Sequence, residues 1–489
     1  MPDVCRPLVP AQMPLAIDAF YKNAGFEETS AHVASPDAPE QSLGTQSLCD
    51  ELVDLYFEMI HDKQHALFHR PTFIAQQRSG QATAFLVLAM QALSARFSTH
   101  LYFGETKPSE RGLHWAEQSR KLFNDREHAV SLTAIQGCAL LANLAFIKGD
   151  SAMESLYNAQ QIRMVQLLDL PSQLSTICIQ REVEIRVWWT TWMMDTWTSN
   201  GVGVPKQLFP PPECPRPMEE EAFERLNIDE LADLLDEHDD MERESGLWSQ
   251  MVPLTDILAK VSQLNENTVA CQLSRREVFD HVRDLTSRLD QWLFCLPEHL
   301  QITPDSLKRY NEKGFGRTLV ALHLGYHHHS QQLYFQYLSL VPHSPAEESL
   351  ASMYAHRCKE HAAKLSNLMW IANTTPGLEC LWGINGHLLV VASAIHLHTL
   401  LFSPVEDQVK AAKVMLEHNF ELLIQMEKLW PSLKWSMSRL RAFQLACRAN
   451  SACQLTTGEK EVPGSIQRRC LLHRPTFRPS MMLAGHPIL

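Results

Sequence analysis

Glycine is scarce in this chain, at 19 of 489 residues, about half the usual share. A turn-dense β architecture and a collagen-like repeat are therefore excluded. Runs of alternating Val, Ile and Thr are nearly absent, which removes the pattern of half-buried strands. No C-x-x-C pair occurs among the 12 cysteines, and the nearest two in sequence are Cys447 and Cys453. Neither a disulfide framework nor zinc-ligand spacing is visible, so the thiols read as free and mostly buried in a reducing compartment. No domain-sized stretch is strongly basic and the formal charge is −13, which argues against a broad phosphate-binding face. The opening "MPDVCRPLVPAQMPLAIDAF" lacks a basic start and an unbroken apolar core, so it is not read as a signal peptide. G-x-S-x-G, a phosphate loop and G-x-G-x-x-G are all missing. "NGVGVP" is too short for the last of these and follows a helical pattern.

What is present is helical periodicity. Apolar residues make up 45% and charged residues 20%, an ordinary globular balance. In "SLCDELVDLYFEMIHDK" residues Leu52, Leu55, Tyr56 and Met59 fall at helical spacing. "FHRPTF" then ends that unit, with Pro71 as the breaker. Further helices are expected near 81–98, 110–124, 131–147, 151–168 and 179–199. Beyond the connector they fall near 247–270, 274–294, 315–340, 346–373, 378–402 and 406–453, the last broken at Pro431. No repeat of fixed period appears, which excludes a regular solenoid. The expected fold class is all-α, a large irregular helical bundle in two halves joined by the proline-rich connector "PKQLFPPPECPRP" (205–217). Residues 1–44 read as a disordered lead-in, 45–245 as the first half, 246–455 as the second, and 456–489 as a disordered tail.

Several stretches invite chemistry. From Cys380 to Val405 there is no Lys, Arg, Asp or Glu, long enough to span a bilayer. Asn385, His387, His396 and His398 interrupt it and no basic cluster flanks it, so a buried core helix is expected and no membrane partner. "DEHDD" supplies Asp236, Asp239 and Asp240, the residue type with which all-α, Mg²⁺-dependent terpene cyclases hold their metal. The order of the three is reversed and a second metal motif is missing, so a solvated acidic face is preferred. His323 and His327 share a helix face at i, i+4, a zinc-binding spacing. No Glu follows the first, and no third ligand can be named. Cys358 and His361 are three apart, without an evident activating base. Catalytic and metal residues are therefore assigned as none.

The densest feature is "EIRVWWTTWMMDTWTSNGVGVP" (184–205), with Trp188, Trp189, Trp192 and Trp197 around Asp195. Such a helix is apolar almost all round and belongs in the middle of a bundle. A buried Asp needs a cation or several donors. Arg163, in "NAQQIRMVQLLDLP", is the expected partner, with Gly201 and Gly203 capping the helix ahead of Pro205. The carboxylate thus reads as a structural pin.

At these residues the chain resembles the fungal-specific transcription factor domain, the middle homology region of zinc-cluster transcription factors. That pattern runs Arg, an aromatic pair, Asp, Ser and Gly-Arg-Pro. Here it is Arg186, Trp188, Trp189, Asp195, Ser199, Gly203 and Pro205, with Val204 at the Arg position. "LVDLYFEMIHDKQHALFHRPTF" (52–73) is similar to the family's opening helix and its ending in His69, Pro71 and Phe73. "AQQIRMVQLLDL" (159–170) is similar to the segment before the tryptophan helix, with Asp169 where Gly often stands. The resemblance implies a nuclear, non-enzymatic transcription regulator of a metabolic or secondary-metabolite gene set. It also implies a protein partner and a small-molecule effector. Residues 1–49 hold only Cys5 and Cys49, so the six-cysteine segment that touches DNA in that family is not recognisable. DNA would be reached indirectly or through a missing N-terminal segment. No cofactor is expected in this chain, and zinc only with such a segment. "HRPTF" occurs at 69–73 and again at 473–477. Coincidence accounts for this, or a tail copy that competes for the groove receiving Phe73.

Overall fold

The computed structural model describes residues 46–63, 65–125, 129–210, 214–226 and 246–457, with side chains described to 445 and that of 202 excepted. Among them the chain is all-α, with sixteen α-helices, short 3-10 turns and no strand. The helices are α1 (Gln46–Met59), α2 (Arg70–Arg78), α3 (Ala84–Ser94), α4 (Leu113–Asp125), α5 (Leu132–Lys148), α6 (Ser151–Leu167), α7 (Cys178–Val202) and α8 (Glu220–Glu224). They continue as α9 (Leu247–Val269), α10 (Arg275–Cys295), α11 (Pro304–Glu312), α12 (Gly316–Tyr334), α13 (Pro345–Thr374), α14 (Gly383–Phe402), α15 (Glu406–Leu429) and α16 (Leu433–Thr457). The expected lead-in, Asp236, Asp239 and Asp240, and the tail copy of HRPTF lie outside the described residues.

Local chemistry sets most boundaries. The Ser131 hydroxyl accepts from the Ala134 N–H to start α5, and Gly149 ends it in the left-handed region at φ 76°. Asp150 then caps α6 through the Met153 N–H, so two residues turn one helix into the next. Ser274 with Glu277, and Thr303 with Ser306, form reciprocal caps at α10 and α11. Pro71 corrects the expectation of a breaker, because it sits in the first turn of α2 behind His69. A proline has no N–H to lose there and its fixed φ suits a helix start, so starter and breaker look alike in sequence. Asp169 holds φ 52° just beyond α6. Glycine adopts that conformation without strain, which accounts for its frequency at this position in the resembled pattern.

The described residues from Ser47 onward form one compact unit. Its core is two hydrophobic clusters, one built mainly from α1 to α7 and the other from α9 to α16. Helix α9 belongs to both, with Trp248 and Val252 in the first and Leu254, Ile257 and Val261 in the second. Pro253 lies inside α9 and cannot donate to the Ser249 carbonyl. Arg216 Nη1 reaches that oxygen instead, at 3.5 Å. Arg96 staples the clusters from another side. Its guanidinium lies 4.3 Å from the Trp430 ring centroid and Nη1 donates to the Leu429 carbonyl at 2.8 Å. Helix α14, long and apolar enough to cross a membrane, is largely buried in the second cluster. Its polar groups find partners there, as His396 Nε2 meets Ser366 Oγ at 3.0 Å and Asn419 bonds Ser393 Oγ at 3.1 Å.

Burial keeps many histidines neutral. His65 and His328 are pushed down to about 3, and His323, His361, His396 and His398 to about 4. In the unfolded chain each protonates near 6.5, so between about pH 4 and 6.5 the unfolded state binds more protons. Their contribution is fully present above pH 6.5 and is lost as pH falls through that window. The unfolding free energy read from urea titrations should therefore drop steeply between pH 7.5 and 5.0, by up to about 1.4 kcal/mol per histidine per pH unit. At Asp169, replacement by Gly should raise the unfolding free energy by about 0.5 kcal/mol, and replacement by Val should lower it.

Candidate functional site

Helix α7 crosses the first cluster with little of its surface in water. Trp188 and Trp189 pack edge to face at 4.8 Å between ring centroids, and Trp189 and Trp192 at 5.3 Å. The helix ends at Gly203, φ 70°, whose N–H reaches the Ser199 carbonyl. Gly203 alone takes the cap, while Gly201 remains in the last helical turn. Residues 205–210 and 214–218 run back along the helix as the described parts of a proline-rich strap. Such a segment makes few hydrogen bonds of its own, and the side chains of α7 supply them.

Asp195 holds the start of the strap. Its Oδ2 accepts from the backbone N–H of Gln207 at 2.8 Å and of Leu208 at 2.7 Å, and Ser199 Oγ donates to Oδ1 at 3.3 Å. Further along, Trp189 Nε1 donates to the Pro215 carbonyl at 2.8 Å. Arg186 holds the end, donating through Nη2 to the Met218 carbonyl at 2.7 Å and through Nε to Glu182 at 3.1 Å. Glu182 in turn accepts from the Met218 N–H at 2.8 Å, so one residue of the strap is clamped on both its polar groups. The Arg186 guanidinium also lies 4.2 Å from the Phe223 ring centroid. Lys206 sits 4.1 Å from the Trp192 ring centroid and donates to Thr196 Oγ1. Burial lowers its ammonium to about 8, against the opposing pull of Asp195.

The expected Asp195–Arg163 pairing is corrected by these contacts. Arg163 is exposed on α6, beside Arg120 and Tyr157. Two backbone N–H groups and a hydroxyl satisfy the carboxylate without a guanidinium. Only the path of the returning strap reveals those donors. Val204, at the position where the resembled pattern has Arg, is 39% exposed.

The ending of the opening segment packs against the same region. His69 Nδ1 meets Thr72 Oγ1 at 2.7 Å, and its ring lies 4.9 Å from that of Phe223. Phe73 is buried against Phe68 and Phe57, whereas Pro71 is exposed. Just past the strap, Glu220 caps α9, its two oxygens accepting from the Leu247 and Trp248 N–H groups at 2.9 Å each. Burial raises this carboxyl to about 7, opposed by Arg186 and by the two N–H donors.

The opposite face of α7 borders a cavity of about 160 Å³ between the two clusters. Met193, Met194, Trp197 and Thr198 form its α7 wall. Trp248 and Met251 of α9, Gly325 and His329 of α12, and Trp382 and Asn385 close the other sides, with Lys63 and Glu154 facing in. Thr198 donates to Glu154 at 3.3 Å and accepts from Asn158 at 2.6 Å. Sequence reasoning passed over this cavity, along with Glu182, Glu220 and Lys63. The i, i+4 spacing of Glu182 and Arg186 was the one visible signal. The cavity is assembled from seven separated segments, which no local pattern brings together.

The other candidates come apart. His323 Nε2 meets the Leu300 carbonyl at 2.7 Å, and His327 instead pairs with His361 at 3.0 Å. Cys358 donates to the Gln331 carbonyl at 3.5 Å, and burial pushes its thiol up. Among the described residues no three or more His, Cys, Asp or Glu side chains gather as a metal site.

Residues 53–294 match the family model described as the fungal specific transcription factor domain. This stretch of the chain is a fungal specific transcription factor domain. It begins in α1 and ends in α10, so it takes in the tryptophan helix, the strap and all of α9. The domain has relatives among curated proteins. The chain is 24% identical over 198 residues to the Zn(2)-C6 fungal-type transcription factor FTF1c of Fusarium oxysporum f. sp. lycopersici, covering 38% of this chain and 21% of that protein. It is 26% identical over 176 residues to an uncharacterized transcriptional regulatory protein of Schizosaccharomyces pombe, covering 33% of this chain and 18% of that one. The chain thus spans about a fifth of the length of these relatives. No solved structure matches.

Replacing Asp195 by Ala would leave two N–H groups of the strap unpaired. Stability should fall by about 3 kcal/mol in urea unfolding, and the strap should become the first site of limited proteolysis. Replacing Arg163 by Ala should change stability by less than about 0.5 kcal/mol. An equal loss in both variants would restore the ion-pair reading.

Proposed function

We propose that this chain is a transcription regulator of the fungal zinc-cluster type, acting in the nucleus and without catalysis. The observation that carries the reading is the fungal specific transcription factor domain over residues 53–294, shared with relatives whose names denote transcription factors. The described helices act as a regulatory body, and DNA is reached through a segment outside this sequence or through a protein partner. Zinc belongs to that reader and not to these helices. The target set is metabolic or secondary-metabolite genes, and a small-molecule effector sets the output.

A reporter experiment tests this. The full chain, fused to a heterologous sequence-specific DNA-binding domain, should raise or lower transcription from a promoter carrying the matching sites. The native chain, tagged and expressed in a fungal host, should accumulate in nuclei and cross-link to promoters. An inert fusion together with exclusion from the nucleus would overturn the reading.

A further inference from the structure

The cavity beside α7 differs from an ordinary packing gap in its polar groups. Trp382 is 1% exposed, yet its indole N–H meets no acceptor. An indole nitrogen is only ever a donor, and a buried donor left unpaired costs about 1–3 kcal/mol. His329 is 2% exposed, and neither ring nitrogen has a partner in full hydrogen-bonding geometry, the Leu254 backbone offering a weak hydrogen bond only. Lys63 lines the cavity, and its ammonium spends one donor on the Phe57 carbonyl at 3.0 Å. Among the described residues no carboxylate lies in ion-pair contact with it, although Asp62, whose Oδ2 meets His61 Nδ1 at 3.1 Å, acts on the ammonium from a longer distance. Burial holds the Lys63 ammonium down at about 8 against the pull of Asp62, with Arg317 and Arg70 adding to the lowering, so a further anion beside it would be favoured. Glu154 faces the cavity as well and is engaged by the Thr198 hydroxyl.

The apolar wall sets the ligand's shape. Met193, Met194 and Met251 are adaptable, and Trp197, Trp248 and Trp382 present flat faces. A cavity of about 150 Å³ accepts one benzene ring, close to the volume here. Gly325 opens onto the space: a Cβ built there would meet only His329 Cε1, at 3.9 Å.

We propose that this cavity binds a single-ring organic acid, with its carboxylate on Lys63 and its ring between the methionine and tryptophan walls. The free Trp382 N–H and the His329 imidazole meet the ligand's remaining polar atoms. This deepens the effector part of the reading above and rests on it only for the transcriptional consequence, because binding is measured on the purified chain.

The test titrates the full chain with benzoate, benzyl alcohol and benzylamine, following tryptophan fluorescence and thermal unfolding. Benzoate should give a saturable fluorescence change, raise Tm, and bind at least about tenfold more tightly than benzyl alcohol. Lys63→Met should abolish that preference. Gly325→Leu fills the space and should remove binding of both, while melting no lower than the wild type because it takes glycine out of a helix interior. Three results would overturn the proposal. They are no saturable response to any of the three probes, a preference for benzylamine, and benzoate binding that survives Gly325→Leu. Any of these leaves the reporter result, and so the transcriptional reading, standing.

Discussion

A proline-rich strap laid along a helix makes few hydrogen bonds of its own, and helix α7 supplies several from its side chains. Asp195, Trp189, Arg186 and Glu182 satisfy backbone groups from Gln207 to Met218. Three of these four side chains are charged and deeply buried, a costly arrangement unless each has a partner. The strap's N–H and carbonyl groups are those partners. Side chains and strap are thus mutually required: without the strap the helix holds orphaned charges, and without the charges the strap holds orphaned amides.

The rest of the described structure follows from that fixed strap. Once Met218 is held, Glu220 is placed to cap α9 through Leu247 and Trp248. Trp248 then reaches back to the Asp62 carbonyl at 3.0 Å, tying α9 to the turn after α1. Helix α9 carries residues of both hydrophobic clusters, so its anchoring sets how they meet. The cavity lies where they meet, walled by α7 on one side and by α12 and Trp382 on the other. The polar side chains of α7 thus hold the strap, and the strap helps to frame the cavity between the clusters.

Much of this was legible beforehand because it is local. Helix periodicity placed α3 to α7 and most of α9 to α15 within a few residues, and the resemblance at Arg186, Trp188, Trp189 and Asp195 pointed to the matched domain. Pro71 was misread because a proline disfavours helix behind it and favours helix ahead of it, and sequence alone does not say which side is occupied. Helix α11 was passed over because nine residues with two buried side chains leave little periodicity. Asp195 is buried as expected, but it was given a charged side chain where the structure gives it backbone.

Composition and pattern by themselves determined the class of this protein. Few glycines, long amphipathic runs and a tryptophan-rich helix around one carboxylate allow only a helical body with a buried polar seam. Tertiary structure alone decided which groups meet across that seam. Lys63, Glu154, Met193, His329 and Trp382 are separated by tens to hundreds of residues, and their convergence depends on how two clusters pack on α9. Periodicity reports which face of a helix is buried, whereas the identity of its neighbour is settled by the packing of every helix at once.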